Sequence, residues 1–174
     1  YPQPGSVVPF LMLVPDGVSA KNPAPAVLCF SGSMGTKETL AGEENLVPVY
    51  KPRNHEKNMM ALNYVKQGIV AVAMDHPGIG ESSDLERYRS TLSGYDIAWG
   101  ILSQYLMEMG WSYLGLSSFQ GQHVLTWMKS RDFIDSENIA LSGHSLGTEP
   151  AMVLAVLNPD VRALVFNDFM CRLI

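Results

Sequence analysis

The chain has 174 residues, of which 47% are hydrophobic and 17% charged, a composition typical of one globular domain and unlike that of a disordered chain. The formal net charge is −5, no run of Lys or Arg exceeds two residues, and no apolar stretch approaches the ~18 residues of a membrane span, which argues against a basic nucleic-acid-binding face and a membrane-spanning helix. Two cysteines, Cys29 and Cys171, are too few for a disulfide scaffold or a cysteine-based zinc cluster.

Apolar runs separated by turn signals predict the strands. The first run, residues 7–14, ends at a Pro-Asp-Gly turn signal. Residues 26–30 and 68–75 are apolar at nearly every position rather than at alternate positions, and residues 137–143 predict a third buried strand. Continuous apolarity is typical of strands that are buried on both faces of a parallel sheet. Residues 161–169 predict one more strand.

Helical spacing of apolar residues appears between these runs. It is clearest where Ile97, Ile101, Tyr105 and Met109 recur at every fourth position. Spacing and glycine stop signals predict helices over residues 55–67, 96–109, 116–130 and 146–157, and a loop over residues 36–54. Strands that alternate with helices predict an α/β fold, a mostly parallel sheet flanked by helices, in a single domain over residues 1–174.

One short motif carries catalytic chemistry. Residues 143–147 read Gly-His-Ser-Leu-Gly, which matches G-x-S-x-G and joins a predicted buried strand to a predicted helix. Such a turn lifts the Ser145 hydroxyl off the sheet edge with a positive φ, and the flanking glycines avoid side-chain clashes. The helix that follows directs N–H groups at the site, where they favour developing negative charge. Ser145 is the candidate nucleophile; the alternative is a plain strand–helix turn with a capping serine.

The loop after the strand 26–30 is a candidate for half of an oxyanion hole. It reads Ser-Gly-Ser-Met-Gly at residues 31–35. A serine hydrolase holds the oxyanion with two backbone N–H groups, which we predict at Leu146, directly after the nucleophile, and at Ser33 in this loop. The alternative for Ser33 is a flexible glycine turn. The loop does not match a phosphate-binding Walker A motif, because its glycines are too closely spaced.

The turn after the second buried strand does not match a dinucleotide-binding fingerprint. It contains Gly78 and Gly80, but position 83 is Ser and no helical pattern starts there. We interpret His76 in this turn as a loop residue rather than a catalytic base. His55 is not part of a zinc motif, because no histidine follows it at the required spacing. The sequence therefore calls for neither a metal nor a cofactor.

These segments together resemble the α/β-hydrolase superfamily. The stretch WMKSRDFIDSENIALSGHSLG is similar to that family's helix–turn–strand–elbow segment, and DHPGIGESS to the loop after its fourth strand. The resemblance covers nearly the whole chain, as strands two to six of the usual eight, and implies an α/β-hydrolase fold truncated after strand six. More narrowly, the loop 36–54, the insertion at 84–115 and the stretch GHSLGTEP resemble acetyl-xylan-esterase-like and dienelactone-hydrolase-like bacterial esterases.

The rest of a catalytic triad is not complete in this sequence. The resemblance implies the order Ser, then Asp or Glu, then His, yet all four histidines precede Ser145, at positions 55, 76, 123 and 144. Asp168 lies near the end of the last predicted strand and is the candidate acid. The alternative is a structural hydrogen-bonding role, because the acid in this family more often follows the next strand. We therefore expect the chain to be incomplete at its C-terminus, with the catalytic histidine beyond residue 174.

The resemblance implies a serine esterase that needs no cofactor or metal and acts on a small-molecule or carbohydrate ester, with acetylated sugars or polysaccharides as the substrate class. The alternatives are a peptidase or thioesterase on the same fold, or a catalytically inactive binding protein. The resemblance also suggests a periplasmic or secreted location and leaves the oligomeric state open, whereas the charge argues against a nucleic-acid partner. The sequence departs from the family at residues 148–150, where a second glycine is more usual; Glu149 there is expected to contact substrate or to be solvated.

Overall fold

The computed structural model describes residues 7–33, 35–44, 58–83 and 94–168. The strands are β1 (Phe10–Leu13), β2 (Ala24–Phe30), β3 (Val70–Met74), β4 (Ile134–His144) and β5 (Ala163–Asn167). They form one five-stranded sheet in the order β1-β3-β2-β4-β5. β1 runs antiparallel to β3, and every other neighbouring pair is parallel. The predicted mostly parallel sheet is thereby confirmed.

Five α-helices are found in the described part of the chain, and four of them lie where the spacing predicts. They are α1 (Lys37–Ala41), α2 (Met60–Val65), α3 (Gly94–Glu108), α4 (Tyr113–Lys129) and α5 (Thr148–Leu157). The last three confirm the helices predicted over 96–109, 116–130 and 146–157, with ends that differ by no more than three residues. α2 confirms the C-terminal part of the helix predicted over 55–67, whose first three residues lie outside the described part of the chain.

The loop predicted over residues 36–54 is wrong at its start, where α1 is found. The Thr36 hydroxyl caps this helix by accepting a hydrogen bond from the Thr39 N–H at 3.3 Å, and Gly42 ends it with φ 79°. Both residues are ordinary helix start and stop signals. A five-residue helix is nevertheless too short to show apolar periodicity, which is why the sequence pattern missed it. Residues 45–54 lie outside the described part of the chain.

The core lies on both faces of the sheet, and its centre is β2 and β3. On one face, the β2 side chains of Leu28 and Phe30 pack with residues of α4 and α5. On the other face, Val27 and Cys29 pack with residues of α1 and α2. Cys29 is free and fully buried, and burial raises the pKa of its thiol, as expected for a small core residue. The predicted continuous apolar strands are therefore covered on both sides.

This arrangement places the candidate site residues at one edge of the sheet. Because β2, β3, β4 and β5 are parallel, their C-terminal ends lie on the same side of the sheet. The loops that follow these ends carry the polar residues singled out in the sequence, and ligands of open α/β sheets bind at such an edge. Among the described residues, no helix is both long and apolar enough to cross a membrane.

Candidate active site

Ser145 lies in the sharp turn that the glycine pattern predicts. β4 ends at His144, a single 3₁₀ turn covers Ser145–Gly147, and α5 begins at Thr148. The backbone at Ser145 has φ 48°, so the predicted positive φ is confirmed. The hydroxyl of Thr148 donates a hydrogen bond to the Ser145 carbonyl at 2.6 Å, and this bond links the turn to the first residue of α5. Ser145 is half-buried at the sheet edge.

The two glycines of the motif are required by close backbone contacts. A Cβ atom at Gly143 would lie 2.7 Å from the Cα of Thr148, within the turn itself. A Cβ atom at Gly147 would lie 2.5 Å from the carbonyl oxygens of both Phe30 and Ser31. Since non-bonded heavy atoms pack at about 3.5–4.0 Å, neither position has room for a side chain. The turn at Ser145 is therefore packed directly on the end of β2.

The loop after β2, of which the structure describes residues 31–33, 35 and 36, lies against the same turn and is called here the β2 loop. A Cβ atom at Gly32 would lie 3.5 Å from the Cβ of Ser145 and 2.8 Å from Nδ1 of His144. Within the loop, the Ser31 hydroxyl donates to the Gly35 carbonyl at 2.8 Å, and the Gly35 N–H donates to the Gly32 carbonyl at 3.0 Å. The segments that carry the two candidate oxyanion donors, the N–H groups of Leu146 and Ser33, are thus in contact.

Asp168 lies at the neighbouring strand end. The register of β4 and β5 pairs His144 with Asn167, so the next residues, Ser145 and Asp168, leave the same sheet edge side by side. Asp168 is exposed and has φ 61°. In the described part of the chain, Ser145 and Asp168 are the only non-glycine residues with a positive φ. Its position beside Ser145 at the sheet edge keeps Asp168 a candidate.

The histidines divide into three environments. His144 is half-buried with its ring against Gly32, and His123 is exposed on α4, where its ring meets Phe119 edge to face at 4.7 Å. His76 is buried. Within the described residues, no hydrogen bond joins the Ser145 hydroxyl to any of these rings. His55 lies outside the described residues.

His76 is more tightly held than its prediction as a loop residue implied. Its Nε2 lies 2.7 Å from the carbonyl oxygen of Ser31, so Nε2 carries the proton and donates it. Its Nδ1 lies 3.1 Å from the hydroxyl of Ser117 on α4 and accepts from it. Burial lowers the pKa of His76, against the smaller opposite effect of the Ser31 hydrogen bond, so the ring is neutral. Both ring nitrogens are occupied.

A charged cluster around the buried side chain of Lys37 adjoins the β2 loop, and the sequence pattern did not predict it. Nζ of Lys37 contacts the carboxylates of Glu38, of Asp75 at 3.1 Å and of Glu81 at 2.6 Å. Burial alone would lower the pKa of Lys37, but the three carboxylates together raise it above its usual value. Burial raises the pKa of Asp75, and the hydrogen bonds and charge of Lys37 oppose that rise.

A sequence signal for this cluster existed. Lys37 and Glu38 directly follow the β2 loop, and Asp75 directly follows a buried strand, so parallel pairing of the two strands brings them to one edge. In the described residues, no group of three or more His, Cys, Asp or Glu side chains is arranged to hold a metal ion. Glu149, in the first turn of α5, is exposed, which favours the solvated alternative for this residue.

Known structures resemble this chain to different degrees. A candidate acetyl xylan esterase from Bacteroides fragilis is 47% identical, with a TM-score of 0.88 over 98% of this chain and 43% of its own. This chain therefore spans less than half the length of that relative. A candidate dienelactone hydrolase from Klebsiella pneumoniae is 16% identical, with a TM-score of 0.58 over 94% of this chain and 55% of its own. A dienelactone hydrolase from Anabaena variabilis is 18% identical, with a TM-score of 0.55 over 93% of this chain and 58% of its own.

Because the two dienelactone hydrolases are only 16% and 18% identical to this chain, their similarity shows only a shared fold. No curated protein sequence matches it. Residues 1–174 match the sequence model of the abhydrolase family. That match agrees with the mostly parallel sheet and with the strand–turn–helix geometry at Ser145. The chain belongs to the abhydrolase family and has the α/β-hydrolase fold.

Proposed function

We propose that the protein containing this chain is a serine hydrolase that cleaves carboxylic esters, with Ser145 as the nucleophile. The observation that carries the proposal is the φ of 48° at Ser145, between the end of β4 and the start of α5. A non-glycine residue in this conformation costs of the order of 1–3 kcal/mol and persists where the surrounding structure enforces it. Here Gly143, Gly147 and Thr148 enforce it, which supports a role for the hydroxyl that the turn presents.

The reaction follows from the groups around Ser145. Its Oγ forms a bond to the ester carbonyl carbon while its proton passes to a histidine, which we place beyond residue 174 because the chain spans 43% of its Bacteroides fragilis relative. The N–H groups of Leu146 and Ser33 hold the resulting oxyanion. The carbon–oxygen bond to the alcohol then breaks, and the histidine returns the proton to that alcohol. Water cleaves the acyl-enzyme by the same steps.

Asp168 is the proposed acid that orients this histidine. It leaves the sheet next to Ser145, and it shares with Ser145 a positive φ. For the substrate we propose an acetyl ester of a sugar or polysaccharide. Support for this class comes from the 47% identical candidate acetyl xylan esterase.

The test is Ser145→Ala in the full-length protein, with kcat/KM measured on p-nitrophenyl acetate. Ser and His act as one unit, so we expect a loss of at least ~10³-fold. The matched control is Ser130→Ala, at an exposed serine after α4, which should retain wild-type activity. Circular dichroism checks that both variants fold. A folded Ser145→Ala protein that keeps more than about a tenth of the activity, a loss under ~1.4 kcal/mol, would contradict the nucleophile assignment.

A substrate panel separates the alternatives on this fold. Acetylated xylo-oligosaccharide, a simple aryl acetate, an acyl thioester and a peptide amide are compared by kcat/KM in the full-length protein. Preference for the acetylated sugar supports the proposed substrate class, and preference for the thioester or the amide contradicts it. A wild-type protein that hydrolyses none of these and does not react with a fluorophosphonate probe would be a binding protein instead of a hydrolase.

A further inference from the structure

Two consecutive residues after β3 hold the two ends of the β2 loop. At its start, Nε2–H of His76 donates to the Ser31 carbonyl at 2.7 Å. At its end, Oδ1 of Asp75 accepts the backbone N–H of Lys37 at 2.8 Å, and Oδ2 accepts from Lys37 Nζ at 3.1 Å. Ser31 and Lys37 bracket the loop that carries Ser33. The hydrogen bonds therefore fix both ends to one rigid point at the end of a central strand.

That point is itself immobilised. Asp75 and His76 have relative exposures of 0% and 1%. Oδ2 of Asp75 also accepts the backbone N–H of Glu81 at 3.1 Å, and a Cβ atom at Gly80 would lie 2.5 Å from the same oxygen. The other nitrogen of the His76 ring is bonded to Ser117 on α4. Neither side chain has space or a free polar group with which to follow a moving loop.

The opposite side of the loop faces the nucleophile. Gly32 packs on His144 and Ser145, and the turn at Gly147 packs on the carbonyls of Phe30 and Ser31. The β2 loop therefore lies between two fixed parts of the structure, the turn at Ser145 on one side and Asp75 and His76 on the other. Together these two contacts fix the distance from Ser145 to the N–H of Ser33. An oxyanion donor displaced by a few tenths of an ångström stabilises the transition state less, because its effect depends on preorganised geometry.

We propose that Asp75 and His76 are positioning residues for the oxyanion donor of the β2 loop, and that they act on the reaction through Lys37 and Ser31 without touching substrate. This inference rests on the proposed function of Ser145. A positioning role and a purely stabilising role predict different effects of substitution. A purely stabilising pair changes the amount of folded protein, whereas a positioning pair changes the transition-state stabilisation of each folded molecule.

The first test is Asp75→Asn in the full-length protein. The asparagine oxygen can still accept the Lys37 N–H, but its NH₂ group then faces the donors of Glu81 and Lys37, and one charge of the cluster is lost. We expect kcat per active site, counted by fluorophosphonate titration, to fall by about 10- to 100-fold, with KM within about twofold of wild type. The matched control is Asp160→Asn, which removes the exposed carboxylate bonded to Lys129 at 2.5 Å and should change neither value.

The affinity for a transition-state analogue is a measurement that a mere loss of protein stability would not change. A trifluoromethyl ketone forms a tetrahedral adduct with the serine and places its oxyanion in the oxyanion hole. We expect its Ki to rise in Asp75→Asn by the same factor as kcat/KM falls, because transition-state analogues follow transition-state affinity. Unchanged kcat per active site and unchanged Ki in a folded Asp75→Asn protein would overturn the proposal for Asp75.

The second test is a pair of substitutions at His76. It tests the positioning role even if the Asp75→Asn protein does not fold. The amide nitrogen of a glutamine overlays Nε2 of histidine and retains the donor to Ser31, whereas that of an asparagine overlays Nδ1 and loses it. We expect His76→Gln to keep kcat and Ki within about threefold of wild type, and His76→Asn to show the parallel change in both of about 10-fold or more. Equal values in the two variants would overturn the proposal.

These outcomes are distinguishable from a failure of the proposed function. If Ser145→Ala remains active, the nucleophile is elsewhere and the proposed function fails. If Ser145→Ala is inactive while the Asp75 and His76 variants keep wild-type kcat and Ki, only the positioning role fails.

Discussion

The two halves of the candidate oxyanion site are built by different kinds of contact. The turn at Ser145 is held by backbone packing, because Gly143 and Gly147 leave no room for a side chain. The β2 loop is held by polar side chains that come from after β3, and Asp75 is 38 residues distant from Lys37 in sequence. The comparison shows that steric contacts of the motif's glycines, within the turn and with the end of β2, hold the proposed nucleophile, whereas hydrogen bonds from residues distant in sequence hold the loop of the proposed donor. The two halves should therefore respond differently to substitution.

The largest effect is expected for Gly147→Ala, which tests the steric half. Its Cβ atom would lie 2.5 Å from two carbonyl oxygens, and backbone cannot give way as the end of a flexible side chain can. We expect the free energy of unfolding of the full-length protein to fall by about 1–3 kcal/mol, measured by urea denaturation, and kcat to fall because the turn and the β2 loop are forced apart.

A control for Gly147→Ala is available in the same chain. Gly100 lies inside α3, and a Cβ atom there would meet no atom within 4 Å. Gly100→Ala should leave activity unchanged and stabilise the protein by up to about 1 kcal/mol, since alanine favours helix. Equal stability of the two alanine variants would show that backbone packing does not hold the turn.

A smaller effect is expected from pH, and it tests the polar half. The ordinary pKa of histidine is 6.5, and that of His76 is lower in the folded protein because the ring is buried. Below pH 6.5 the unfolded chain binds a proton at this position that the folded chain does not bind. The contribution of His76 to the free energy of unfolding therefore decreases as pH falls from about 7 to 5, and above that range this contribution is fully present.

The measurement compares wild type with His76→Gln over this pH interval by urea denaturation. Glutamine does not titrate, so its slope of stability against pH should be shallower, while the opposing contribution from the raised pKa of Asp75 is common to both proteins. Parallel slopes would mean that His76 does not resist protonation in the folded state.

The smallest effect is expected for Ser33→Ala. The proposed donor at this position is the backbone N–H, which alanine retains, so kcat/KM on p-nitrophenyl acetate should stay within about threefold of wild type. Leu146→Ala is expected to behave alike for the same reason. A loss beyond about tenfold in Ser33→Ala, with the fold intact, would show that the hydroxyl and not the N–H group stabilises the oxyanion.

The sequence predicted those features that depend on neighbouring residues. Apolar runs bounded by turn signals located the strands, apolar periodicity located the three long helices, and the glycines around Ser145 predicted its positive φ. It missed α1, which is too short for periodicity, and the contacts of Lys37 with Asp75, because a hydrogen bond between residues far apart in sequence leaves no local pattern. His76 lies in a loop, as predicted. Its buried hydrogen bonds could not be predicted, because they depend on α4 and the end of β2 lying close to it in space.

The backbone conformation of Ser145 also restricts which side chain can be used there. A φ of 48° is accessible to an unbranched residue at modest cost, whereas a second substituent on Cβ, as in threonine, makes the same conformation a severe outlier. Threonine carries the same hydroxyl chemistry and serves as a nucleophile in other settings. In this turn the choice among hydroxyl and thiol residues narrows to serine and cysteine, so backbone geometry limits which side chains could carry the attacking atom of the proposed reaction.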